Sequence, residues 1–128
     1  MTQVSTQNPR IEVSDLVVKY GDVTAVERVS FSIGPGELVT LLGPSGCGKT
    51  TSLRAIAGLE TPSGGTIRLN GQTMYSGPER LNVPAEKRGV SMVFQSYAIW
   101  PHMTVFENVA YGLRVRKLSK AEVTENVY

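Results

Sequence analysis

The run Gly43-Pro44-Ser45-Gly46-Cys47-Gly48-Lys49-Thr50 spells G-x-x-x-x-G-K-[ST], the spacing with which a chain folds its own amides around a polyphosphate. Glycines at 43, 46 and 48 permit backbone conformations that side chains forbid, so successive N–H groups can converge on one anion. A helix starting just after the last glycine would add the partial positive charge of its N-terminus. In that scheme Lys49 offers a point charge to the β- and γ-phosphates, the Thr50 hydroxyl a hard oxygen to Mg²⁺, and Thr51 a donor to the α-phosphate. Charge-assisted hydrogen bonds are worth about 1.5–3 kcal/mol each, so several together outweigh what a base can add. The competing reading is a glycine-rich turn that spells the motif by chance.

The motif's pattern calls for a strand leading into the loop and a helix leaving it. Leu38-Val39-Thr40-Leu41-Leu42 is a short, nearly all-apolar run with β-branched members, which predicts a parallel strand buried on both faces. From Thr50 to Leu59 the apolar residues Leu53, Ile56 and Ala57 recur at helical intervals, and Gly58 stands where a helix would stop. These flanks weigh against the chance reading. Cys47 is the single cysteine, so no internal disulfide is possible. It reads as a small packing residue beside a nucleotide, or as a thiol whose pKa a helix N-terminus depresses.

Ahead of the loop, residues 1–9 are polar and expected to be flexible. Ile11 to Tyr20 and Thr24 to Ile33 are strand-like and joined at Gly21-Asp22, which predicts an antiparallel hairpin; Pro35-Gly36 is a turn. Beyond the helix, Thr61 to Gly65 is a loop, and Thr66–Leu69 with Gln72–Tyr75 around Asn70-Gly71 predicts a second hairpin. Ser76 to Lys87, with Pro78 and Pro84, reads as an exposed connection. Gly89 to Phe94 predicts a second apolar strand ending at Gln95, followed by an irregular aromatic loop to Met103. Thr104 with Glu107 forms a capping box that starts a helix running to about Leu113, and Ser119 with Glu122 starts another.

Tyr97, Ile99, Trp100 and Met103 place an apolar group within that loop, either as a contact surface for a partner or as packing beneath the helices. His102 is the only histidine and has no cysteine cluster near it, which argues against metal ligation. Arg114, Arg116, Lys117 and Lys120 read as a solvated helix face. The 128 residues suit one domain, and 19% charged with 41% hydrophobic content is ordinary for a folded protein. A formal charge of +2 falls far short of the basic bias of nucleic-acid binders, so no nucleic-acid partner is expected. No apolar run is long enough to cross a bilayer and Met1 to Arg10 lacks the pattern of a signal peptide, so a cytoplasmic location is expected.

Taken together, these residues resemble the first part of an ATP-binding cassette ATPase, the nucleotide-binding subunit of ABC transporters, over about residues 10 to 128. The resemblance implies an α/β fold: a P-loop NTPase core with an antiparallel β subdomain and the start of a helical subdomain. It makes Gly43, Pro44, Ser45, Gly46, Cys47, Gly48, Lys49, Thr50 and Thr51 the Walker A loop, with ATP and Mg²⁺ as cofactors. Tyr20 stands where the family places an aromatic that stacks on adenine, a contact worth about 1–3 kcal/mol; read by itself it is a strand-end aromatic. Gln95 matches the family's Q-loop glutamine, which implies contact with Mg²⁺ and the attacking water and coupling to the transport partner. Read by itself it is polar surface.

Ser96 to Gly112 closely resembles the stretch of importer ATPases that leads into the helical subdomain and meets a helix of the membrane subunit. The resemblance therefore implies transmembrane permease subunits as partners, with Tyr97, Ile99, Trp100 and Met103 in the contact. It also implies a second nucleotide-binding subunit in a dimer, a solute-binding protein acting indirectly, and a peripheral position on the inner face of the cell membrane. The wording is similar to importers of the polyamine, ferric-iron and sugar type, with polyamine or ferric iron the favoured cargo.

The chain departs from the family pattern downstream. Asp15 and Asp22 are its only aspartates, so the Walker B pair that follows the P-loop in the family is absent, as are the LSGGQ signature and the switch histidine. The chain thus reads as a truncated, N-terminal portion in which Lys49 and Gln95 contribute to catalysis but no catalytic set is complete. Hydrolysis by these residues alone is expected to be poor, and Val39 to Leu42 to expose an apolar edge. Other readings are a soluble ABC protein of DNA repair or translation, a small-molecule kinase, and a fragment that binds nucleotide without hydrolysing it.

Overall fold

The computed structural model describes residues 8–44, 46 and 48–128. The expectations for residues 1–7, Ser45 and Cys47 lie outside the described residues. The chain divides into two compact units, one ending at Ser91 and one running from Met92 to Tyr128.

In the first unit β1 (Ile11–Tyr20) and β2 (Val23–Ile33) form the expected hairpin, with Gly21-Asp22 as the two-residue turn between paired Tyr20 and Val23. Strands β3 (Gly64–Leu69) and β4 (Gln72–Ser76) form the second hairpin. Its turn residues Asn70 and Gly71 have φ of 52° and 76°, the doubly positive geometry that makes Asn-Gly the preferred tight turn. With the short β5 (Leu81–Asn82) they complete a five-stranded sheet in the order β2-β1-β3-β4-β5, antiparallel at every pairing.

Strict alternation does not describe β1 or β2. Val13, Leu16 and Val18 are all buried, a spacing of three and then two. The extra residue is absorbed by a bulge at Asp15, whose φ is 49°, and a register shift separates Val13 from Leu16. Strand β2 repeats the device, with φ of 46° at Arg28 between buried Val26 and half-buried Val29. Each bulge returns the next apolar side chain to the core face. There Val13, Leu16, Val18, Val26, Ile67, Leu69, Met74 and Tyr75 pack with Ala55 and Ile56 of the helix α1 (Lys49–Ala57).

Helix α1 stops where Gly58 was expected to stop it. Gly58 takes φ of 87°, its N–H donates to Ala55 O at 3.2 Å, and the Leu59 N–H reaches back to Arg54 O at 2.9 Å, a glycine-terminated helix end of the Schellman kind. A side chain at 58 would also have no room, because a β-carbon there would lie 2.8 Å from Arg88 Nε and 2.9 Å from Ala85 Cα.

Two expected strands are absent. Residues 38–42 have no strand structure, and Leu38, Val39 and Leu42 are 95%, 41% and 89% exposed. Residues 89–94 are likewise irregular, with Val90 and Val93 exposed, so Gln95 lies in a turn rather than at the end of a core strand. A strand exists through its ladder partners, and the described sheet pairs only its own five strands. Apolar composition reports an affinity for burial and names no neighbour. The apolar exposure expected of Val39 to Leu42 is nonetheless present. Nor is Ser76 to Lys87 a featureless connection, since it holds β5, a single 3₁₀ turn at Ala85–Lys87 and a buried Ser76.

In the second unit α2 (Val105–Val115) and α3 (Lys120–Val127) both start as their capping residues foretold. Thr104 Oγ1 accepts from Glu107 N at 3.1 Å while Glu107 Oε2 accepts from Thr104 N at 2.9 Å, a complete capping box. Ser119 Oγ accepts from Glu122 N at 3.2 Å. Among the described residues no helix is long and apolar enough to cross a membrane.

Candidate functional site

The glycine-rich loop leads directly into α1. Gly48, with φ of 90°, is the residue before the helix, and no described side chain caps the first turn, which carries no acidic residue. Its amides therefore keep their positive end for an anion. Lys49 turns back across the loop: its Nζ donates to Gly43 O and, at 2.9 Å, to Pro44 O. One ammonium group thereby ties the start of the loop to the start of the helix. Thr50 is exposed and Thr51 half-buried on the first turn.

Glycine at 48 is demanded twice over. Its φ excludes most side chains, and a β-carbon would fall well inside contact distance of Ala25 O and 3.0 Å from Val26 Cγ2. The helix start thus presses against the part of β2 that pairs with the end of β1, where Val18 meets Val26, Lys19 meets Thr24 and Tyr20 meets Val23. That packing brings the strand-end aromatic to the same end of the sheet as the loop. Tyr20 is 47% exposed, and its hydroxyl donates to Glu60 Oε2 at 2.8 Å.

At the other end of α1 a buried cation holds the last turn. Arg88, 3% exposed, donates from Nη1 to Ala55 O at 2.9 Å and Ile56 O at 3.1 Å, from Nε to Val83 O at 2.8 Å, and from Nη2 to Asn82 Oδ1 at 2.8 Å. Burial pushes the guanidinium below its ordinary pKa, and the four neutral acceptors offset what desolvation costs. Two of those acceptors are carbonyls of the helix's last turn, which also favours a positive charge.

The remaining expected residues lie in the second unit. Gln95 and Ser96 are exposed in a turn, where Tyr97 and Ala98 take φ of 63° and 50° and Tyr97 N donates to Phe94 O at 2.9 Å. Tyr97, Ile99 and Trp100 are 76%, 64% and 39% exposed, and Met103 is half-buried. Asn108 fastens this loop to α2: Oδ1 accepts from Trp100 N at 2.9 Å, and Nδ2 donates to Trp100 O at 3.3 Å, Met103 O at 3.2 Å and Thr104 O at 2.8 Å. The Trp100 and Tyr111 rings pack at a centroid distance of 4.5 Å. Arg114 in α2, Lys120 in α3, and Arg116 and Lys117 in the turn after α2 are exposed as expected but share no single helix face.

Sequence reasoning missed Glu60, Arg88 and Asn108. Nothing local pairs residue 60 with residue 20, and the only hint at 88 is an arginine standing before an apolar run. For magnesium, Thr50 Oγ1 is a hard oxygen on an exposed helix start and suits an ion that keeps most of its waters. Among the described residues no group of three His, Cys, Asp or Glu could hold a metal unaided.

A family model described as "ABC transporter" matches residues 26–127. The chain is 50% identical over 124 residues to the spermidine/putrescine import ATP-binding protein PotA of Pasteurella multocida, covering 96% of this chain and 32% of that protein. It is 50% identical over 117 residues to the protein of the same name from Nitrosomonas eutropha, covering 91% and 31%. To that from Pseudomonas aeruginosa it is 48% identical over 119 residues, covering 93% and 31%. The chain spans about a third of the length of these relatives.

Proposed function

Because the chain belongs to the ABC transporter family, we propose that it is the nucleotide-gripping part of an importer's ATP-binding subunit. Residues 43–51 hold the polyphosphate of ATP, and Tyr20 stacks on its adenine. The observation that carries this reading is Lys49, seated at an uncapped helix start and reaching back over the loop's own carbonyls. An ammonium group held beside the helix start offers donors to a polyphosphate from more than one side. Bound Mg²⁺ would neutralise phosphate charge, with Thr50 supplying a protein oxygen.

The finer reading is polyamine uptake. It is supported by relatives named for spermidine/putrescine import at about half identity, and by the exposed Tyr97, Ile99 and Trp100, which suit contact with transmembrane permease subunits at the cytoplasmic face of the membrane. In this reading the chain works beside a second nucleotide-binding subunit. Its only aspartates lie in the β1–β2 hairpin, Asp15 at a bulge and Asp22 in the turn, so these residues bind ATP and do not by themselves turn it over.

Titration calorimetry with ATP and magnesium tests the central claim. Lys49→Ala should weaken binding about tenfold or more, since one charge-assisted contact is worth about 1.5–3 kcal/mol. Equal affinity of the folded variant and the wild type would remove the basis for the reading.

A further inference from the structure

The loop between α1 and β3 does more than connect them. A tyrosine at a strand end can turn about two side-chain bonds, and any orientation surrendered on stacking costs conformational entropy. Tyr20 has already surrendered it, because its hydroxyl is held by Glu60 Oε2 at 2.8 Å across 40 residues of sequence. Glu60 is in turn a fixed point. Just before it, Leu59 N is bonded back to Arg54 O at 2.9 Å. Just after it, buried Pro62 accepts from the Tyr75 hydroxyl at 3.0 Å, and Ser63 is tied to β1 through Ser63 N to Val17 O at 2.7 Å and Lys19 N to Ser63 Oγ at 3.1 Å.

We propose that Glu60 is a positioning residue for the nucleotide base: its carboxylate holds the Tyr20 ring in the orientation that receives adenine. The proposal rests on the reading of Tyr20 as the adenine platform. Tyr20 remains 47% exposed while its hydroxyl is engaged, so the anchor restrains the residue without burying it. Glu60 hangs from the end of the helix whose first turn carries Lys49 and Thr50. The phosphate grip and the base platform are therefore referred to one rigid element, and a base stacking on a pre-oriented ring pays less to order it.

The test separates base recognition from fold stability by comparing two probes, ATP and inorganic tripolyphosphate, each with magnesium, titrated calorimetrically into the chain. Tyr20→Ala should lower ATP affinity about fivefold to a hundredfold, the range of base–aromatic stacking, and leave tripolyphosphate unchanged. Glu60→Ala and Tyr20→Phe should each lower ATP affinity about threefold to tenfold, again without touching tripolyphosphate. The double variant Tyr20→Phe with Glu60→Ala should bind no more weakly than either single one, because both delete the same bond. Glu60→Gln should recover most of the loss, since its amide oxygen accepts from the same hydroxyl. If Glu60→Ala weakens both probes equally, Glu60 serves only the fold and the proposal fails. It fails alone if Glu60→Ala leaves ATP affinity intact while Tyr20→Ala does not, and together with the adenine reading if Tyr20→Ala changes nothing.

Discussion

Two glycines of the 43–50 motif look equivalent in the sequence and differ in what surrounds them. Gly46 and Gly48 have φ of 84° and 90°, but a β-carbon at 46 meets nothing within 4 Å, whereas one at 48 collides with Ala25 O. Gly46→Ala should cost only the backbone strain, about 1–2 kcal/mol. Gly48→Ala should add an overpacking cost of about 1–3 kcal/mol and loosen α1 from β2, lowering the melting temperature further. Equal melting temperatures for the two variants would contradict this account. At this scale the positive φ of Gly46 and Gly48 was legible because glycine is the residue that takes it without strain. Glu60 and Arg88 were not. The partner of Glu60 lies 40 residues away and the helix carbonyls that Arg88 holds lie 33 and 32, and nothing in a single sequence joins residues across such a span.

Elements that carry their own signals appeared where those signals stood. The Asn70-Gly71 turn, the Gly58 stop, and the caps at Thr104 and Ser119 are local chemistry, decided within a few residues. The two apolar strands failed because a strand is a relation between segments, and the segments at 38–42 and 89–94 have no ladder partner among the described residues. The bulges at Asp15 and Arg28 were invisible for a similar reason: each is set by register against a neighbour. The aromatic loop offers a test at this level. Asn108 makes four hydrogen bonds to the backbone of residues 100–104, whereas the start of α2 is secured independently by Thr104 and Glu107. Asn108→Ala should therefore speed hydrogen exchange at the Trp100 amide and shift the fluorescence of this single tryptophan, with helix content retained. An unchanged Trp100 amide would show that the loop is held by something other than Asn108.

On the scale of the whole molecule, apolar surface is the dominant liability. Leu38, Leu42 and Val93 are each nearly nine-tenths exposed or more, and patches of this character drive association. Replacing Leu38 and Leu42 together by Lys should reduce self-association seen by light scattering while leaving the melting temperature within a few degrees, because neither side chain is in the core. Undiminished scattering would place the sticky surface elsewhere. The interior is apportioned unevenly as well. Of the buried hydrophobic side chains, only Ala110 and Val123 belong to residues 92–128. A segment that banks so little of its stability internally opens and recloses readily. Its amide hydrogens should accordingly exchange sooner than those of the five-stranded sheet.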